Sequence, residues 1–130
     1  MGRRAARQAI MLLIELPWPD RILSPNSRAH HMARAKVARE ARARAKIETG
    51  MIYSHAADLL GFNSKGNLPV RLTFCFPDER HRDSDNLIIM CKPYRDGIAD
   101  ALGLDDRRFW PVTLERGKNI PGGKVIFRVG

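Results

Sequence analysis

The sequence predicts a small α/β (α+β) domain: a mixed β-sheet of about four strands with helices packed on it. Three observations carry that expectation. Val70-Arg71-Leu72-Thr73-Phe74-Cys75-Phe76 alternates apolar and other residues, the period-two pattern of a strand with one face buried. A stretch rich in Ala and Arg, from Arg28 to about Thr49, repeats Ala33, Val37, Ala41 and Ala45 at the four-residue step of a helix face. The elements then run strand, helix, strand, helix, strand, strand, an order suited to helices lying on a mixed sheet.

Taken in order, residues 1–9 read as a basic, flexible tail. Ile10–Leu16 reads as a buried-type strand, ended by Pro17-Trp18-Pro19, which no helix or central strand could continue. Leu23-Ser24-Pro25-Asn26-Ser27-Arg28 is rich in turn formers, and Asn26 or Ser27 can cap the helix that follows. Gly50 either interrupts that helix or merely weakens it, since Met51–Leu60 is again helix-compatible and Gly61 makes a natural C-cap. Phe62–Pro69 reads as a polar loop. The Val70–Phe76 strand follows, with Val70, Leu72, Phe74 and Phe76 inward. Asn86 to about Leu102 is expected to be helical, kinked at Pro93, which removes an internal N–H. Val112–Arg116 and Lys124–Val129 are closing strands joined by a Gly/Pro/Asn-rich turn at Gly117–Gly123. There is no repeat and no low-complexity linker, so the 130 residues form one domain.

Charge narrows the function class. Lys and Arg number 23 against 14 Asp and Glu, and residues 1–50 alone hold eleven basic and four acidic residues. A surplus so concentrated attracts polyanions through long-range fields and counterion release, which points to nucleic acid. Cys75 and Cys91 form no CxxC and have no His at ligand spacing, so a zinc site is not expected and a reduced, cytoplasmic setting is. The N-terminal apolar run is too short for a signal sequence and is broken by Glu15, and no window reaches the roughly 20 apolar residues of a membrane span.

Against this basic background stand two tight acidic clusters, Asp83-Ser84-Asp85-Asn86 and Gly103-Leu104-Asp105-Asp106, with Asp96 between them. If the first stays extended, Asp83 and Asp85 point the same way, roughly 7 Å apart at ~3.3 Å per residue. Such a pair can flank Mg²⁺, which often takes one or two protein carboxylates and leaves the rest to water and phosphate. Asp106 could complete the set, with Asp105 as the alternative or as its support. Unneutralised, three converging carboxylates would repel, and at least one would titrate high. The plainer alternative is that Asp83 and Asp85 cap the following helix and that Asp105-Asp106 is a surface turn. Lys92 lies two helical turns beyond Asp85, where it could hold a phosphate. Asp96 offers it an ordinary i,i+4 ion pair instead.

The residues Asp83-Ser84-Asp85-Asn86-Leu87, Lys92-Pro93, Asp96-Gly97-Ile98 and Gly103-Leu104-Asp105-Asp106 resemble the signature of the RusA family of Holliday-junction resolvases. That pattern reads D-x-D-N, a downstream K (often K-P), D-[AG]-[LI] and G-[IVL]-x-D-D. Leu16-Pro17-Trp18-Pro19 and Leu23-Ser24-Pro25-Asn26-Ser27-Arg28 also resemble the family's opening strand and loop, so the likeness spans roughly residues 12–128. The resemblance implies a small RusA-like α/β homodimer that cuts four-way junctions in branched DNA during recombination and repair, in a bacterial or phage setting. It implies Mg²⁺, with Mn²⁺ as a substitute, and neither a membrane nor a small-molecule cofactor. Position by position, it implies Asp83, Asp85 and Asp106 as catalytic metal ligands, Lys92 as the catalytic lysine, and Asp105 and Asp96 in support. It implies Asn26, Arg28 and Asn86 on the DNA side, where the basic side chains Arg34, Arg80 and Arg82 would join them. One departure is that the lysine lies further from the D-x-D pair than in the best-known member. Other readings are a non-catalytic DNA- or RNA-binding protein and a flap or fork nuclease of the same chemistry.

Overall fold

The computed structural model describes residues 11–53 and 66–130. The basic tail, the start of the first strand at Ile10, the helix-compatible stretch to Leu60 with its Gly61 cap, and the first part of the Phe62–Pro69 loop fall wholly or largely outside these residues. Within them, the order is β1 (Leu12–Pro17), a 3₁₀ turn (Arg21–Leu23), α1 (His31–Tyr53), β2 (Leu68–Cys75), α2 (Ser84–Met90), α3 (Lys92–Leu102), a second 3₁₀ turn (Asp106–Arg108), β3 (Phe109–Arg116) and β4 (Lys124–Val129). It is the small mixed α/β fold that the sequence pattern predicts.

The sheet runs β1-β4-β2-β3, antiparallel at β1/β4 and β4/β2 and parallel at β2/β3. Alternation sets its faces. Leu12, Ile14 and Leu16 of β1, Val70, Leu72 and Phe74 of β2, and Val125, Phe127 and Val129 of β4 all point into one core. Ile14, Val125 and Val129 are completely buried there. On the outer face, Thr73 Oγ1 donates to Glu115 Oε1 at 2.6 Å, and Arg128 Nη1 donates to Thr73 Oγ1 at 2.8 Å. A polar network thus covers part of the sheet's other face.

Element bounds differ from the sequence expectation in places, β2 running Leu68–Cys75 and β3 starting already at Phe109, and larger departures have local reasons. The first helix begins at His31 rather than Arg28, because Ser27 Oγ accepts from Ala29 N and holds the preceding residues in a turn. It then continues through Gly50, whose missing side chain leaves open space rather than a break. The expected Asn86–Leu102 helix is two helices, parted at Cys91 (φ −89°, ψ −1°). Pro93 does not kink a continuous rod but sits in the first turn of α3, where its missing N–H costs nothing. Finally, the segment that joins β3 and β4 is a crossover, because the two strands are not neighbours in the sheet. The Gly117–Gly123 segment crosses the end of β2, where Gly117 N donates to Phe74 O and Ile120 N to Phe76 O, and β4 lands on the far side of β2.

The helical layer is set by one close approach. A Cβ at Gly97 of α3 would stand 2.1 Å from Arg42 O and 2.9 Å from Ala45 Cβ, so only glycine lets α1 and α3 touch backbone to backbone here. Ala45, the last of the residues that the sequence shows at four-residue steps on α1, makes the other half of that contact with the Arg42 backbone. Tyr94 of α3 then reaches across to β1, its hydroxyl donating to Pro17 O at 2.9 Å, and packs edge-on against Phe127.

These two glycines give substitutions of opposite sign. Gly97→Ala forces the helices apart and is expected to destabilise the fold by about 1–2 kcal/mol, even after the better helix propensity of alanine is counted. Gly50→Ala meets nothing and is expected to stabilise by about 0.5–1 kcal/mol. Urea unfolding midpoints at constant m-value check both; equal effects would mean the contact at Gly97 is not tight.

Candidate functional site

Most of the predicted site residues fall into two groups at the two ends of α2, which is about 10 Å long at 1.5 Å per residue. The first group lines a cleft of about 480 Å³ that includes Arg80, Arg82, Asp83 and Asn86, together with Arg21 and Trp18. The second centres on Lys92 at the start of α3.

In the first group, Asp83 is the N-cap of α2. Its backbone is extended (φ −74°, ψ 126°) and its Oδ1 accepts from Asp85 N at 3.2 Å. Asp85 therefore stands inside the first helical turn, where the helix dipole favours its charge. The fully extended pair considered from the sequence is not what forms, because the cap bends the chain between the two. Both carboxylates are exposed, and neither makes a salt bridge among the described residues. Arg82 is fixed beside them. It grips Asp78 through Nη1 at 2.8 Å and Nη2 at 3.2 Å, and its guanidinium carbon lies 5.3 Å from the Trp18 ring centre and 5.5 Å from that of Phe76. Those hydrogen bonds hold Asp78 down at about 2. Arg80 is exposed on the rim.

In the second group, Lys92 Nζ donates to Asp96 Oδ1 at 2.5 Å and to Asp106 Oδ2 at 3.0 Å. Arg95, three residues on and so on the same side of α3, lies with Nε 3.7 Å from Asp106 Oδ2 and donates from Nη2 to Asp106 O. Its Nε is buried yet makes no hydrogen bond. Burial pulls the Lys92 pKa down, but the hydrogen bonds and charges of Asp96 and Asp106 outweigh it and hold it above the ordinary lysine value. Lys92 is therefore a permanent cation, about half exposed, and unsuited to act as a base. Asp105 turns away to Arg107, whose hydrogen bonds lower it to about 2, while its Oδ1 caps the 3₁₀ turn that carries Asp106.

Among the described residues, no group of three or more His, Cys, Asp or Glu side chains is arranged to hold a metal ion. Asp83, Asp85 and Asp106 are not gathered into such a group. The charge of Asp106 is instead met by the chain's own lysine and arginine.

The remaining predicted residues have varied surroundings. Asn26 and Arg28 are exposed on the segment before α1. Arg34 points back into that segment, donating from Nε to Ile22 O at 3.3 Å and from Nη2 to Ser24 O at 2.5 Å. It positions the loop rather than standing free of it. Sequence reasoning missed Arg21, Trp18 and Arg95. Arg95 was detectable from its three-residue spacing to Lys92, whereas Arg21 and Trp18 reach the cleft only through the tertiary fold. It also missed Asp100, which takes Arg42 of α1 in a two-pronged pair at 2.6 and 2.9 Å.

Arg34→Ala is expected to cost about 2 kcal/mol, the loss of two hydrogen bonds from a charged donor, and to speed amide exchange at residues 22–27 selectively. Hydrogen exchange read by mass spectrometry checks this; uniform loss of protection would show a global effect instead.

Comparison with known proteins gives little beyond kinship. No family model matches the chain. A solved structure of cyanuric acid hydrolase from A. caulinodans overlays with a TM-score of 0.39 at 13% identity; the match takes in the whole of this chain and 40% of that one. An uncharacterized protein of Xylella fastidiosa (strain Temecula1 / ATCC 700964) is 38% identical over 119 residues, covering 92% of this chain and 76% of its relative. At that identity and coverage, the chain belongs to the same family as this bacterial protein.

Proposed function

We propose that the protein is a Mg²⁺-dependent, structure-specific endodeoxyribonuclease that resolves four-way junctions in branched DNA, as a cytoplasmic homodimer of RusA type. The observation that supports it best is the cluster at Lys92. Residues from three separate pieces of the motif, Lys92-Pro93, Asp96-Gly97-Ile98 and Gly103-Leu104-Asp105-Asp106, meet there through two hydrogen bonds. The buried Nε of Arg95, ion-paired with Asp106 at 3.7 Å but without a hydrogen bond, adds positive charge beside them. Among the described residues no helix is long and apolar enough to cross a membrane.

The roles follow from charge. Lys92 and Arg95 neutralise the non-bridging oxygens of the scissile phosphate as negative charge builds in the transition state. Asp96 and Asp106 keep Lys92 protonated and aimed. Arg80, Arg82 and the exposed Arg28 contact backbone phosphates, fixing orientation without reading bases. Mg²⁺, replaceable by Mn²⁺, is required in this reading, and the resemblance assigns it to Asp83, Asp85 and Asp106. Hydrolysis of the P–O3′ bond leaves a 5′ phosphate and a 3′ hydroxyl.

A second reading draws on the same coordinates. Asp83 and Asp105 are caps, and Asp96, Asp105 and Asp106 are ion-paired, as they would be in a basic DNA-binding protein without catalysis.

A synthetic four-way junction and a linear duplex of the same sequence, each with Mg²⁺ or with EDTA, separate the two. Paired nicks are expected in the junction alone, and only with Mg²⁺. Asp85→Asn is expected to lose at least about a hundredfold in cleavage while binding the junction as well as before or better, since a repulsive charge is gone. Undiminished nicking by that variant would remove Asp85 from the site, and tight binding without cleavage by the parent protein would favour the second reading.

A further inference from the structure

The cleft beside Asp83 has a composition that phosphate binding does not explain. Trp18, Leu87 and Met90 form an apolar wall, and Arg21, Arg80 and Asn86 stand around it. Cations alone suffice to hold a DNA backbone, and an apolar wall would bring such a ligand nothing. The cleft's volume of about 480 Å³ lies in the range of small-molecule sites, which pair apolar walls with a few placed polar groups. A nucleotide has both parts: a flat base for the wall and a phosphate for the rim. In an intact duplex the base faces are stacked on their neighbours and out of reach. At a branch point the pairs beside the crossover can lose a stacking neighbour, so that swinging one of their bases out costs less than within a duplex.

We propose that this cleft takes up one unpaired nucleotide of branched DNA, the base lying against Trp18, Leu87 and Met90 and the phosphate meeting Arg21 and Arg80. The proposal rests on the branched-DNA reading and adds to it the feature by which a branch is told from a duplex. Arg82 serves the pocket as a fixed wall, because its grip on Asp78 and its stacking over Trp18 and Phe76 hold it in place before any ligand arrives. The half-buried Asn86 offers an amide with both donor and acceptor to a base edge. Base–aromatic contact of this kind tolerates any base, so the pocket selects for an unpaired nucleotide rather than for sequence.

The test is binding, measured by fluorescence anisotropy in EDTA so that no cleavage occurs. Three labelled probes are compared: a fully paired duplex, the same duplex with one unpaired nucleotide, and that bulge with an abasic sugar-phosphate in place of the nucleotide. The base-bearing bulge is expected to bind about tenfold tighter than the abasic one, which should resemble the duplex. Trp18→Leu is expected to erase the difference. Since Trp18 also packs on Phe74 and Phe76, Asn86→Ala on the rim provides a second variant, expected to reduce the preference by several-fold with the fold intact. Equal affinity for the base-bearing and abasic bulges would overturn the pocket while leaving junction cleavage, if seen, untouched. Failure to bind any of the three DNAs would overturn both the pocket and the reading beneath it.

Discussion

Lys92 is held between Asp96, one turn along its own helix, and Asp106, delivered by the 3₁₀ turn after α3. That tie decides which parts of the sequence are brought together. Ion pairs this exposed contribute about 0–1 kcal/mol, so stability is not what the arrangement supplies. Its consequence is positional: a lysine with four side-chain torsions is confined to one place and kept charged, and Asp106 is neutralised by Lys92 and Arg95. A basic protein carrying many acids meets the repulsion problem here with its own cations, and the exposed Asp83 and Asp85 are left without such partners among the described residues.

The tie depends in turn on where α3 sits. Gly97 brings α3 against the backbone of α1, the Arg42–Asp100 pair closes over the same contact, and Tyr94 anchors the helix to the end of β1. The break at Cys91 frees α3 from the direction of α2, so that Lys92 meets Asp106 while Asp83 lines the cleft at the far end of α2. One undivided helix would have put Lys92 on nearly the same side as Asp85. The two-group layout is thus a product of Pro93 starting a helix rather than bending one.

What could be read in advance follows the range of the forces involved. The inward set of β2, the ends of β4 at Lys124 and Val129, and the mixed α/β class were legible because period-two alternation is a local property. The split at Cys91 was not. A residue at φ −89°, ψ −1° is close enough to helical that no propensity marks it, and Pro93 is equally compatible with a kink and with a first turn. The path of Gly117–Gly123 across β2 was hidden because turn residues announce a reversal but not which neighbour the next strand will find. In the site, the Lys92–Asp96 pair was legible as an i,i+4 spacing, whereas the arrival of Asp106 and the walls of the cleft depend on tertiary packing. Arg34 shows the same limit: a charged residue on a basic helix reads as a ligand contact, and only the structure reveals two backbone carbonyls within its reach.

If Lys92 and Asp106 act as a unit, removing both should cost little more than removing the more important one. Single-turnover cleavage of a four-way junction by Lys92→Met, Asp106→Asn and the double variant measures this directly. The double variant is predicted to match the slower single variant within about threefold. Losses that simply multiply would mean the two side chains work independently, and the contact between them would then be no more than a surface ion pair.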